Sequence, residues 1–546
     1  MSMHRRQFLV TGLAATAYGA LGAPVPSAAA PTTPLWDEFV RSPDSHPQIP
    51  NVAYAGYRTG DRPLPRPWVV ANVRDFGARP DGTVDSTDAI NRAIAAAGRC
   101  GGGAVFVPAG TYRIDGIVQV GYDNVVLRGA GSGRTTLRCT RSLTEIIGPW
   151  GSPYGGDKSA WSWTGGLVWV CPAGRFRDQV AGIRAGGFPA EGWIGDDLLG
   201  RITADAPRGA RTLLVDSARG LRSGQRVLLK LQNDAAYGLY QHISGDIPGA
   251  ASYNWADRAK LNGYPFVWPV RIVAVRGRRI TLAQPLPVAV RTVWSPRLTT
   301  VGPVVRDAGV EHLTIELPSR PQPRHLYDTG FNGLLFQLAW DCWARDVVVS
   351  DADNGILMTS AKGVTLTGTR VRGRGRHHSY TCRVQSHDNL NTGFVIEKAT
   401  VPVAPGSVHH GINVEILSCG NVWADGVMEN GTFDTHRALP FGNVRTAIVV
   451  NNDGLHGGDY AAGPLYGGRF AHWNVTITNE RAGCIRLDQV APASATVGIS
   501  PCRDFGQVDN PDFTGELNSR LESFGTTDIR PANLYTAQLR LRRHRG

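Results

Sequence analysis

The sequence predicts an all-β fold in which the chain coils as a parallel β-helix, and three observations carry that prediction. Short apolar runs of strand length recur throughout the 546 residues, separated by turn residues, in a composition of 66 glycines and 35 prolines. The segments "DCWARDVVVSDADNG", "AKGVTLTGTRVRG", "SHDNLNTGFVIEK", "SCGNVWADGVMEN", "FGNVRTAIVVNNDG" and "FAHWNVTITNE" share one pattern, a small polar turn followed by alternating apolar residues. They repeat at roughly twenty to thirty residues, the length of one solenoid rung with its loops. The early strands "AVFVPAG", "TYRIDGIVQV", "NVVLRGAG" and "TTLRC" lie too close together for helical crossovers and lack Asn-Gly hairpin turns. Such strands are joined by bends, so the chain coils instead of meandering.

In chain order, residues 1–30 read as an export signal. Arg5 and Arg6 precede Phe8-Leu9 and an Ala/Gly-rich stretch, the layout of a twin-arginine signal, with His4 and Val10 departing from the usual pattern. Cleavage is expected between Ala23 and Ala30, and the mature protein is expected outside the cytoplasm, secreted or periplasmic. No later apolar run is long enough to span a bilayer. Residues 31–67 read as an extended leader rich in Pro, Asp, Arg and Ser. Residues 68–192 hold an N-terminal cap and the first rungs. Asp85 or Ser86 caps a helix whose apolar stripe is Ala89, Ile90, Ala93, Ile94 and Ala97, and Gly101 to Gly103 stop it. Between 193 and 298 the rung pattern breaks into antiparallel strands with turn clusters, a small β insert. Its Tyr- and Trp-rich loops, and "KSAWSWTGGLVWV" before it, suit either the rim of a sugar cleft or packing. The main rungs occupy 299–500. Residues 501–546 are a C-terminal cap, with "RLRRHRG" as a solvated tail.

The eight cysteines are scattered without Cys-x-x-Cys or Cys/His zinc spacing, which argues against structural zinc and thioredoxin-like chemistry. Export permits disulfides, but sequence does not pair them. The formal charge of +12 is spread without basic blocks, so it favours a polyanionic partner only weakly, and nothing points to nucleic acid.

The stretches "NVRDFGARPDGTVDSTDAINRAI", "GGGAVFVPAGTYRI" and "NVVLRGAG" closely resemble the N-terminal signature of the pectate-lyase-like superfamily. The resemblance implies a right-handed, single-stranded parallel β-helix whose N-terminal helix plugs the open end of the coil, covering unpaired backbone. It leaves the chemistry open, because the superfamily holds hydrolases, lyases, epimerases and tailspikes. The Asn-Thr-Asp, Asp-Asp, Gly-His-Gly and Arg-Ile-Lys motifs of the polygalacturonase branch are missing from the rungs, Asp196-Asp197 lying far upstream. The pectate lyase base motif and its calcium-binding aspartates are missing too. The chain therefore resembles an outlying branch, and no catalytic residues transfer.

Aligning successive rungs on Ile356, Tyr380, Ile412, Ala438 and Leu455 stacks Asn354, His378, His410, His436 and Asp453 two residues upstream. Asp353, His377, His409, Thr435 and Asn452 stack one further back. With rungs ~4.8 Å apart, these form two polar columns on one wall, and alternation adds Asn413, Glu415 and Arg383, with Arg437 beside His436. Polar ladders also serve structure alone, but three histidines at one place with acids around them point to a site. Asp434, His436, Arg437, Glu415, Asp453 and His410 are the candidate catalytic residues. Asp353, Asn354, His378, Arg383, Asn413 and His456 are candidates for binding substrate. No metal ligand is assigned and no cofactor is called for, calcium being an option only for a lyase.

Hydrolysis of a glycosidic bond needs two carboxyls, drawn from Glu415, Asp434 and Asp453. Glu415 and Asp453 fall two rungs apart, roughly 9–10 Å, which suits inversion. β-Elimination from a uronate needs a base, His436, and cations to hold the carboxylate, Arg437 and Arg383. Three acids tip the sequence reading slightly toward a hydrolase acting on a polysaccharide, as a monomer. Lyase action on a uronate glycan, and glycan binding without cleavage, are the alternatives.

Overall fold

The computed structural model describes residues 32–545 apart from 152–156, 258–260, 262–263, 402–404, 456, 459–461 and 504–511. The export signal and His456 therefore lie outside the described residues.

One 23-stranded sheet system holds the coil, with every strand pair parallel. Each full rung contributes three walls. The second wall shows most simply why the sequence folds this way. Tyr112, Leu137, Ile315, Val349, Val371, Ile396, Met428, Val450 and Ile477 stand in one register, rung upon rung. All are buried, so the alternating apolar residues of the repeats form one continuous apolar stack. Apolar burial at roughly 25 cal/mol per Å² makes this stack a large stabilising contribution. In the first wall the corresponding stack runs Val105, Leu127, Val310, Ala344 and Leu366, then turns polar at Asn391, Trp423, Arg445 and His472. The third wall is built from Asn332–Gln337, Asn354–Thr359, His378–Arg383, Gly411–Glu415 and the end of Val422–Arg437. Between the third wall and the next rung, Asn389, Asn421 and Asn443 form a buried ladder, each amide donating to the next at 2.9 Å.

The helix Thr87–Arg99 buries Ala89, Ile90, Ala93, Ile94 and Ala97 against the first strands and closes the N-terminal end. Ser86 stands at its N-cap. Between 198 and 299 a separate six-stranded antiparallel sheet has its own core, which Leu417, Cys419 and Phe441 of the coil enter. Trp255, Trp268 and Trp294 are buried in that core, and Trp161 and Trp169 in the core of the coil.

Two segments differ from the sequence reading. The leader is not extended: Pro34–Arg41 is a helix, capped by Thr33, and Leu35, Phe39, Ile49, Val52 and Ala55 are buried along the coil. The basic tail is not merely solvated. Leu534–Arg545 is a helix in which Gln538 binds backbone groups of Val52 and Pro50, and Arg542 pairs with Asp61. Leader and tail thus satisfy each other's polar groups, a long-range pairing that no local pattern encodes. The rungs also continue past 500, with Arg520–Phe524 adding a further strand. Cys100, Cys139, Cys171, Cys342, Cys382, Cys419 and Cys484 form no disulfide, and among the described residues no helix is long and apolar enough to cross a membrane.

Candidate active site

Along the third wall Ile356, Tyr380 and Ile412 pair in register as inward residues, as the sequence alignment had them. In the next rung the structure corrects it. Phe433, not Ala438, pairs with Ile412, a shift of five residues, and Leu455 lies outside any strand. The alternation of "GTFDTHRAL" offers two apolar anchors, and the larger one wins the interior.

The consequence is a different set of neighbours. Thr381, Asn413 and Asp434 alternate with the core residues and share one outward column, and Thr359, Arg383, Glu415 and Arg437 share the next. The pairing jumps from Val414–Thr435 to Glu415–Arg437, which leaves His436 as an extra residue. That bulge turns its ring back so that Nδ1 lies 3.2 Å from Asp434 Oδ2. On the other side the His378 and His410 rings stack, 4.7 Å between centroids and 16° between planes.

Asp434 is fully buried, and its Oδ2 lies 3.5 Å from His378 Nε2 and 3.5 Å from His410 Nδ1. Its Oδ1 accepts the Gly457 N–H at 2.7 Å. Burial alone raises its pKa, but the surrounding histidines more than reverse this and hold the carboxylate well below the usual range. His378 donates from Nδ1 to Asn354 Oδ1 at 3.3 Å and accepts the Asn413 amide at Nε2, 3.0 Å away. Burial pushes its pKa down to about 3, so this ring is neutral. A Cβ on Gly458 would sit 2.6 Å from the His436 ring, so glycine is required where the 457–458 backbone crosses it.

Beside this cluster runs an ion ladder. Arg383 donates to Glu191 at 2.9 Å and to Glu415 at 2.7 Å, and Arg437 Nε lies 3.7 Å from Glu415 with its guanidinium 5.8 Å from the Trp163 ring. Burial raises the Glu415 pKa, but the two arginines outweigh it and hold the group at about 2.

Of the remaining sequence candidates, Asp453 does not join. It accepts from Asn430 and the Gly431 N–H and faces His409 at 3.6 Å. Burial raises its pKa, yet His409 and those hydrogen bonds leave it lowered. It stands beside Gly431 while Glu415 stands beside Arg437, at the other end of the strand. That separation is on the order of 17–20 Å at ~3.3 Å per residue, so Glu415 and Asp453 are not the close pair the sequence alignment proposed. Asp353 is tied to Arg374 and to the Gly330 and Phe331 N–H groups, holding a turn together.

Sequence reasoning missed several neighbours. His325 and Glu191 come from irregular segments outside any repeat, and only their residue types hinted at a role. Asp328 lies 3.7 Å from His377, and burial with the Asp353 charge pushes its carboxyl up to about 8. Although the sequence assigned no metal ligands, two groups have the spacing to hold one: His378, His410, Asp434 and His436, and His325, His377 and His410, each set with ligand atoms within 4.8 Å of one another. Calcium does not fit either set, because it takes six to eight oxygen ligands. Among the described residues no group of three carboxylates comes together. Two clefts, of about 700 and 590 Å³, lie elsewhere, along the 39–63 strap.

Residues 70–171 match the family model for "Rhamnogalacturonase A/epimerase, pectate lyase-like". Alginate lyase 7 of Azotobacter vinelandii is 45% identical over 86 residues, 14% of this chain and 10% of that protein. Mannuronan C5-epimerase AlgE3 of the same organism is 42% identical over 96 residues, 16% of this chain and 5% of that protein. The chain thus spans a tenth or less of these relatives' lengths. Among solved structures, the tailspike protein gp49 of Pseudomonas phage LKA1 aligns with 79% of this chain and 70% of its own, at 12% identity and a TM-score of 0.41. The family match covers the capping helix and first strands of a coil of parallel rungs, and over residues 70–171 the chain is similar to the pectate-lyase-like proteins.

Proposed function

We propose that this protein cleaves a uronate-containing polysaccharide by β-elimination, with His436 as the base. One observation carries the reading. Asp434 and His436 form a buried carboxylate–imidazole dyad, while the carboxyls put forward for hydrolysis are all held ionised. A hydrolase needs one carboxyl kept protonated to deliver a proton to the leaving oxygen. Glu415 at about 2 does not serve, Asp434 and Asp453 are lowered as well, and Asp328, pushed up to about 8, is buried against His377 and not paired with the Asp434–His436 dyad.

Elimination uses what is present. Asp434 accepts the Nδ1–H of His436, which leaves Nε2 as the proton acceptor and fixes the ring. Of the groups around Asp434, the His436 side chain is the most exposed, at 7% against 1% for His378 and His410. His436 takes the proton beside the uronate carboxylate, the electron pair forms a carbon–carbon double bond, and the glycosidic C–O bond on the next carbon breaks. The leaving oxygen takes up the proton that His436 has gained, directly or through water, which returns the base to its starting state. Arg437, adjoining the base, and Arg383 carry the positive charge that stabilises the enolate-like intermediate. The relatives named for alginate and mannuronan agree with a uronate.

The test is a panel of polyuronates and neutral polysaccharides incubated with the mature protein and with His436→Ala. Unsaturated uronate ends from polyuronates alone, absent with the variant, are expected. Saturated fragments, or unchanged turnover by the variant, would refute the reading.

A further inference from the structure

Beside the dyad lies a second group of side chains to which the elimination chemistry assigns no role. His377 Nδ1 is 3.0 Å from the Ser162 carbonyl and His410 Nδ1 is 2.7 Å from the Leu455 carbonyl. A carbonyl only accepts, so in both rings Nδ1 carries the proton and Nε2 presents a lone pair. Both Nε2 atoms are buried without a hydrogen-bond partner, and so is Nε2 of His325. The ring centroids stand 4.9 Å (His325–His377), 5.2 Å (His377–His410) and 6.3 Å (His325–His410) apart.

Three buried imidazole nitrogens left without a partner are costly, because burial strips each of its hydrogen bond to water. One water cannot satisfy them, since it has two protons for three lone pairs. Three Lewis-basic nitrogens round one point call for a Lewis acid. The outer contacts agree: imidazoles that ligate metals commonly donate their other N–H to a backbone carbonyl or carboxylate. His377 has the Ser162 carbonyl in that place with Asp328 at 3.7 Å, and His410 has the Leu455 carbonyl.

We infer that His325, His377 and His410 form a three-histidine site for a divalent first-row transition metal of the zinc type. The all-nitrogen donor set selects against calcium and magnesium, which take oxygen ligands. Three protein ligands leave one coordination position open. His325 comes from the irregular 318–331 segment and is only half-buried, so it stands on the solvent side of the group. The other four-residue group shares His410, but its Nδ1 faces Asp434 and the Leu455 carbonyl, and its carboxylate is already engaged by Gly457. The free lone pairs lie on the three-histidine side.

The test is metal content and binding in the full exported chain, purified without a histidine tag, stripped with chelator and titrated with Zn²⁺ and Co²⁺. No substrate is present, so the result is independent of whether elimination is the reaction. One equivalent per chain is expected, with a rise in melting temperature on loading and a Co²⁺ absorption band typical of nitrogen ligation. His325→Ala should weaken binding by about tenfold or more while melting within a few degrees of the stripped wild type. His436→Ala should leave binding unchanged. Sub-stoichiometric binding by the wild type, or binding lost in His436→Ala and kept in His325→Ala, would overturn the assignment.

Discussion

Glu415 gives the sharpest quantitative handle on the site's electrostatics. It is 1% exposed between Arg383 and Arg437, and its pKa falls from the usual 4.5 to about 2. At 1.36 kcal/mol per unit, this ionisation contributes about 3 kcal/mol to folding at neutral pH. Removing one member of a buried ion pair costs about 3–5 kcal/mol by general experience, so the two routes agree. Because the folded pKa lies below the unfolded one, the contribution is complete above 4.5 and is lost as pH falls through 2. By the same linkage about 1–2 kcal/mol survives at pH 3. Glu415→Gln keeps the shape and removes the charge. Urea denaturation of both proteins should show the variant less stable by about 3 kcal/mol at pH 7 and pH 6, with the gap halving near pH 3. A gap that stays constant from pH 7 to pH 3, or no gap at pH 7, would refute the clamped-carboxylate argument.

Three further outcomes follow from the geometry. Asp434→Asn should lower kcat by about 10³–10⁴, because the imidazole loses the acceptor that fixes its tautomer, and near-UV circular dichroism would check that the fold persists. Gly458→Ala places a Cβ 2.6 Å from the His436 ring; it should cost about 1–3 kcal/mol and reduce turnover, read from melting curves and initial rates. Asn421→Ala removes the middle of the buried ladder and takes the side-chain acceptor from the Asn389 N–H and the amide donor from the Ser386 carbonyl, so a loss of about 2–4 kcal/mol is expected in denaturant titrations.

The coil was legible because strand alternation is a local signal. Ala89, Ile90, Ala93, Ile94 and Ala97 mark the capping helix, and the apolar alternation of six rungs marks the walls. The site was legible where three rungs hold one register, which placed His378, His410, Asn413, Arg383 and Glu415 together. It failed at the next rung, where a bulge at His436 sits between two apolar anchors and pattern alone does not choose Phe433 over Ala438. Asp434 and His436 still reach the cluster, by the bulge and not by the column assigned to them. His325, Glu191 and the leader helix were not legible at all. Their positions depend on contacts across more than fifty residues, such as Arg383 with Glu191 and Gln538 with Val52, which leave no periodic trace.

The central claim is that the glycosidic bond breaks by elimination, and the isotope content of the products tests it most directly. The protein would be incubated with a polyuronate in H₂¹⁸O and the fragments weighed. Elimination predicts fragments lighter by one water than hydrolysis products, with no ¹⁸O from bond cleavage. Fragments that have gained a water carrying ¹⁸O would contradict it.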